Sequence, residues 1–276
     1  MLLQRILTAL LLLPLALFII LGPATPVFAV IVAIAFLASA WEWMRLSGLN
    51  NMAARIAVLL ALALVYAAAG WSRDPRLWAA MALLGVAWWV VASAWLRHFS
   101  FGAAPTPENR RLKLLAGAFV MVPAWAGLVL IHRTVPHGHW WTFLGLAIVW
   151  AADIGAYFAG RFLGKRKLAP QISPGKTWAG VYGAFVAAGL VVAIGGWLLG
   201  VHDARLAGLV VLAAVTVAVS IVGDLVESLM KRHAQVKDSG HLFPGHGGLL
   251  DRLDSVFAAM PVFALGLWLL GVVQLS

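Results

Sequence analysis

The sequence predicts an all-α integral membrane protein, polytopic, with nine transmembrane helices in a single membrane domain over residues 1–276. Three observations carry that prediction. Of the 276 residues, 63% are hydrophobic and only 11% are charged, whereas a soluble domain is about 25% charged. The apolar residues fall in runs close to the ~20 residues that cross a hydrocarbon core as a helix. The Lys and Arg residues gather in alternate connections between those runs, fifteen on one side against four on the other, and such asymmetry marks the cytoplasmic loops.

The first two spans, 6–21 and 24–41, are separated by Gly-Pro-Ala-Thr-Pro, whose two prolines cannot continue one helix. No small-residue cleavage site followed by a polar chain interrupts the first run, so it reads as a span and not as a removed signal. Further spans are expected at 55–71, 77–96, 113–131, 140–162, 178–199, 206–230 and 249–273. The polar, Pro-rich segment 100–109 reads as a surface loop. Within the domain, the N-terminal spans (1–131) are set apart from the spans and loops that carry the chemistry (140–273). The charge count places the N-terminus and the loops after even-numbered spans in the cytoplasm, and the parity of nine places the C-terminus outside.

Composition also excludes function classes. There is no Cys, so disulfides, Cys-based zinc sites and thiol nucleophiles are ruled out. The net charge of +10 sits in short loops between spans, where it suits anionic headgroups and topology; no nucleic-acid partner is expected. Of fourteen Trp, Trp41, Trp71, Trp140, Trp141 and Trp178 lie at span ends, the place of interfacial anchors. His132, His137 and His139 cluster on the outer side, in a pattern open to a metal site or a solvated loop.

Residues 224–254 concentrate the chemistry. They hold five of the ten carboxylates of the chain, with Lys231, Arg232 and Lys237 among them. Ionisable groups at or near hydrocarbon are costly and mark function. Asp224, Glu227, Ser228 and Lys231 share one helical face, which reads as a half-site for a hard cation or as intrahelical ion pairs. The turn Pro244-Gly245-His246-Gly247-Gly248 opens the ninth helix, where backbone amides and the helix N-terminus favour phosphate oxygens. Asp251 and Asp254 follow, three apart. Asp153, Tyr157, Gly160 and Arg161 line one stripe of the sixth span, and Asp153 lies in an apolar run that requires a partner or a cation. Ser173-Pro174-Gly175-Lys176-Thr177 is a tight turn just before a span, with a Lys and two hydroxyls available to grip an anion.

The run Ser228-x-Met230-Lys231-Arg232, Lys237-Asp238-x-Gly240, Phe243-Pro244-x-His246-Gly247-Gly248-Leu249-x-Asp251-Arg252-Leu253-Asp254 resembles, without a gap, the signature of the phosphatidate cytidylyltransferase (CDP-diacylglycerol synthase) family. The segment from Asp153 to Arg161 and the Ser-Pro-x-Lys-Thr turn are similar to that family as well. The family turn usually has Lys and Glu where Gly175 and Ala179 stand here. The resemblance implies transfer of a cytidylyl group from CTP to phosphatidic acid, giving CDP-diacylglycerol and pyrophosphate, in the inner (cytoplasmic) membrane of a bacterium. It implies Mg²⁺, with a second cation allowed, and a homodimer. On that reading Asp224, Asp251 and Asp254 are the metal ligands, and Asp224, Ser228, Lys231, Asp251 and Asp254 form the catalytic group. Ser173, Lys176, Thr177, Arg232, Lys237, His246, Gly247, Gly248 and Asp153 bind substrate. A cytidylyltransferase for another lipid phosphate and a cation-coupled transporter are the alternatives.

Overall fold

The computed structural model describes residues 13–72, 74–242 and 247–274. The first helix, α1, is helical over 13–21; the predicted beginning of its span at 6 lies outside the described residues. Then come α2 (Thr25–Leu46), α3 (Met52–Trp71), α4 (Pro75–Trp95), α5 (Pro107–His132) and α6 (Gly138–Leu163), a hairpin of β1 (Lys167–Ala169) and β2 (Ser173–Thr177), and α7 (Trp178–Leu198), α8 (Arg205–His233) and α9 (Leu250–Leu269). Among the described residues, α2 to α9 are each long and apolar enough to cross a membrane. The protein is an all-α polytopic membrane protein; the antiparallel hairpin, which pairs Lys167 with Thr177, is its one addition to the predicted pattern.

Local chemistry sets the helix starts. Asn51, Asp74, Thr106 and Thr177 accept hydrogen bonds from amides two or three residues ahead, as N-caps do. Proline opens α2, α4 and α5, where its missing N–H costs nothing.

The two most enclosed helices are α5 and α9. They cross where Gly127 meets the backbone of Met260 and Pro261; a Cβ there would lie 2.9 Å from three of those atoms. Another close crossing joins α8 to α9: a Cβ on Gly223 would lie 2.6 Å from the Asp254 carbonyl oxygen and 2.7 Å from Ala258 Cβ. Without a hydrophobic force between helices in lipid, small residues provide association by letting backbones approach. The most extensive pairing is α6 with α7, which meet at Gly155 and Gly183 in the same way.

Contacts between loops sort the bundle into two ends. At one, Val135 pairs with Gln274, so the α5–α6 turn and the C-terminal tail share a side. At the other, Arg45 donates to the Ser239 carbonyl oxygen, a nitrogen of His233 lies 2.7 Å from the Phe99 carbonyl oxygen, and Arg232 donates to the Ile172 carbonyl oxygen at 3.0 Å. Those are the connections that the charge count assigns to the cytoplasm.

Two expectations are corrected. Trp141 is buried, and so are Trp43, Trp78, Trp89, Trp95 and Trp125, so much of the tryptophan content is interior. Indole N–H groups join helices to distant carbonyls, Trp43 to Lys113 at 2.7 Å and Trp125 to Ala29 at 2.9 Å, which satisfies the one polar atom of a large apolar ring. Trp71 and Trp140 remain exposed. His132 and His139 form a packing joint, while His137 stays exposed in its turn: His132 is buried and stacked on Phe28, with one ring nitrogen 2.9 Å from the Thr25 hydroxyl and the other 3.0 Å from the Ile20 carbonyl oxygen. Both nitrogens are thus occupied, and His132 has none left for a metal.

Candidate active site

The site lies at the end of the bundle where α8, α9, the β-hairpin and the 234–249 connection meet. On α8, the i, i+3, i+4, i+7 spacing does place Asp224, Glu227, Ser228 and Lys231 along one stripe. The close crossing at Gly223 brings that stripe against Asp254 of α9. Asp224, Glu227 and Asp254 each offer a carboxylate oxygen, and these oxygens lie within 4.8 Å of one another. Glu227 is 2% exposed, and its Oε1 is buried without a hydrogen-bond partner among the described residues. A buried carboxylate oxygen left unpaired is costly, and a hard cation is the partner that three converging carboxylates fit.

Cations surround the cluster. The Lys176 ammonium pairs with Asp224 Oδ2, carried there by β2 and the turn before it. Lys231 bridges Glu227 at 3.0 Å and Asp251 at 2.8 Å. Ser228 donates to Asp224 at 3.4 Å. Asp153 has Asp224, Lys176 and Arg252 as charged neighbours.

Asp251 adjoins the carboxylate trio, sharing Lys231 with Glu227. One oxygen takes Lys231, and the other accepts from Ser239 N at 2.9 Å, Ser239 Oγ at 2.9 Å and Gly248 N at 2.8 Å. Three of its four bonds tie the connection to the first turn of α9, and the fourth ties that turn to α8. Gly248 and its neighbours are equally committed. The Leu249 and Leu250 amides donate to Glu42 of α2, at 3.1 and 2.8 Å, and Glu42 also accepts from Ser239 Oγ at 2.8 Å. Of the amides around the start of α9, those of Gly248, Leu249 and Leu250 are taken up by two of the protein's own carboxylates. Gly247 has φ +80°, a conformation that L side chains rarely adopt; His246 lies outside the described residues.

A polar cavity of about 400 Å³ opens beside the trio, between α6, α7, α8 and the hairpin. Asp153, Tyr157, Arg161, Lys176 and Asp224 line it, and Arg161 donates to the Tyr157 hydroxyl at 2.6 Å. The Thr177 hydroxyl reaches the wall, yet it accepts from Gly180 N as the cap of α7. Ser173, Arg232 and Lys237 are not among the lining residues; Arg232 secures the hairpin turn through Ile172, and Lys237 is exposed.

Sequence reasoning missed Glu42. A signal was present: it is the lone acid in the first 73 residues and closes an apolar span. Its partners lie about 200 residues downstream, which no local pattern reveals. Glu227 belongs to the cation half-site expected on α8, but the ligand set of Asp224, Asp251 and Asp254 leaves it out.

A cytidylyltransferase family model matches residues 3–270. The phosphatidate cytidylyltransferase of Pseudomonas aeruginosa is 43% identical over 279 aligned residues, covering 98% of this chain and 98% of that protein. The Haemophilus influenzae protein of the same name is 43% identical over 65% of each chain, and that of Bacillus subtilis is 45% identical over 45% of this chain. With a carboxylate trio ringed by lysines beside a polar cavity, and with likeness extending from end to end, the chain belongs to the cytidylyltransferase family.

Proposed function

We propose that this protein transfers a cytidylyl group from CTP to phosphatidic acid, releasing pyrophosphate and CDP-diacylglycerol, at the cytoplasmic face of a bacterial inner membrane. The relatives named above support the lipid, and family membership favours a transferase over a transporter. The observation that carries the chemistry is the convergence of Asp224, Glu227 and Asp254 with Lys176 and Lys231 beside them.

An oxygen of the lipid phosphate attacks the α-phosphorus of CTP; a new P–O–P bond forms as the α–β bond breaks, and pyrophosphate leaves. Both reactants are anions, so the barrier is dominated by their repulsion and by charge that builds on the leaving group. A phosphate monoester is already a nucleophile near neutral pH, so the site needs no strong base. Lys176, on the rim between the trio and the cavity, is placed to neutralise phosphate oxygens, and Arg161 offers a second cation across the cavity. Lys231 holds Glu227 and Asp251 in place together, coupling the trio to the α8–α9 connection. Asp224, Glu227 and Asp254 would hold Mg²⁺, which supplies Lewis-acid neutralisation of phosphate charge when bound. Asp251, which the resemblance places among the ligands, pairs with Lys231 next to Glu227 and also anchors the loop through Ser239 and Gly248.

The test is incubation of the purified protein with labelled CTP, Mg²⁺ and a panel of lipid phosphates. CDP-diacylglycerol and pyrophosphate in equal amounts from phosphatidic acid are expected. Turnover with a different lipid phosphate but none with phosphatidic acid would reassign the substrate, and no CTP consumption with any of them would refute the reading.

A further inference from the structure

Ser239 lies in the connection between α8 and α9, at a position that the family signature leaves open. It is fully buried, and each of its polar groups is committed. The amide donates to Asp251 Oδ2 at 2.9 Å, and the carbonyl oxygen accepts from Arg45 of α2. The hydroxyl lies 2.8 Å from Glu42 Oε2 and 2.9 Å from Asp251 Oδ2. One residue thus joins α2 to α9. Glycine makes the fit possible: a Cβ on Gly240 or Gly248 would collide with the Glu42 carboxylate.

That hydroxyl has a single proton for two carboxylates. It holds together two like charges that repel strongly where water is scarce. Asp251 passes the constraint on. With its Oδ2 fixed by Ser239 and Gly248, its Oδ1 meets Lys231 at 2.8 Å, and the same ammonium holds Glu227 Oε2 at 3.0 Å. A chain of side chains therefore runs from Glu42 through Ser239, Asp251 and Lys231 to one member of the carboxylate trio.

We propose that Ser239 is a positioning residue for the cation site, one that sets the affinity of the trio through Asp251 and Lys231; this rests on the transferase reading above. Ser239 does not line the polar cavity and bonds to none of the three carboxylates. Without its hydroxyl, Asp251 and Glu42 face each other with no shared donor. Asp251 then turns toward Lys231 and draws the ammonium away from Glu227, which loses the brace that keeps it in place for a cation. Partners that orient ligands from outside typically contribute 10- to 100-fold in metal affinity, and a residue two side chains removed belongs at the lower end.

The experiment uses the full-length protein in nanodiscs, with melting temperature followed against Mg²⁺ in the absence of substrates and initial rates measured in parallel. Ser239→Ala should raise the Mg²⁺ concentration at half effect about tenfold in both readouts, with kcat at saturating Mg²⁺ and KM for phosphatidic acid close to wild type. Ser239→Cys, similar in size but a weak donor, should shift the same way. Arg45→Met removes the other grip of α2 on the same residue; it should lower the melting temperature without moving the Mg²⁺ midpoint. Binding couplings are reciprocal, so Mg²⁺ should also slow hydrogen exchange at the Ser239 and Gly248 amides of the wild type. A wild-type Mg²⁺ midpoint in both Ser239 variants would overturn the proposal, and so would an equal shift in Arg45→Met. Exchange at those amides that ignores Mg²⁺ would overturn it even where both Ser239 variants fail to fold. A wild type that neither responds to Mg²⁺ in melting temperature nor consumes CTP would instead strike the functional reading beneath it.

Discussion

Replacing Glu42 with alanine removes a residue that touches neither the cavity nor the carboxylate trio, yet the structure assigns it a large effect. Its carboxylate is 9% exposed and accepts three hydrogen bonds, from the Leu249 and Leu250 amides and the Ser239 hydroxyl. Ser239 keeps Asp251 Oδ2 as a second acceptor at 2.9 Å, so it loses little. The two amides are unpaired donors at the start of a helix, and each bond to a charged acceptor contributes ~1.5–3 kcal/mol. Taking the lower end, because water reaches part of the helix terminus, alanine costs ~3 kcal/mol. Glutamine costs about half of that by the same principle: its NH2 can be turned toward Leu249, which sacrifices one bond and keeps the two at the other oxygen. Thermal denaturation in detergent reads the difference. At roughly 2–4 °C per kcal/mol, Glu42→Ala lowers the melting temperature by several degrees and Glu42→Gln by about half as much. Initial rates should fall in the same order, because Glu42 sets where α9 begins and hence where Asp254 sits. An alanine variant that melts with the wild type, or a glutamine variant that melts below the alanine one, would refute the reasoning.

Glu227→Gln should lower CTP-dependent turnover by about two orders of magnitude, the scale of losing one preorganised charge-stabilising group. It should leave stability unchanged or raised, since an unpaired buried carboxylate oxygen is removed while Lys231 keeps Asp251; a melting curve alongside the rates checks both. Chelation with EDTA should abolish turnover and added Mg²⁺ restore it. Mg²⁺ at about a hundredfold its Kd should stabilise the wild type by ~2.7 kcal/mol and Glu227→Gln far less, as read by melting temperature. Gly223→Ala adds a methyl where the Asp254 carbonyl oxygen is 2.6 Å away, so α8 and α9 must separate. Overpacking of this kind costs ~1–3 kcal/mol, and the variant should lose Mg²⁺ affinity along with it; a titration of rate against Mg²⁺ tests that.

The sequence alone determined the span pattern, the two-sided sorting of charge and the stretch of chain that carries the site. All eight fully described spans form helices where hydropathy put them, because crossing a bilayer is a property of one continuous run of residues. The face shared by Asp224, Glu227 and Lys231 was legible for a similar reason: helical spacing is local and periodic.

Partnership was settled only by the tertiary structure. Asp251 and Asp254 are three residues apart on one helix, yet the α8–α9 crossing at Gly223 gives Asp254 to the trio while Ser239 and Gly248 claim Asp251. Glu42 gained its role from amides that reach it across the fold, and buried tryptophans found carbonyls on other helices. Each of these outcomes depends on which donor the packing brings within about 3 Å of a given acceptor. Chain order leaves that open, because the competing donors lie far apart in sequence and only the close approach of helix backbones selects among them.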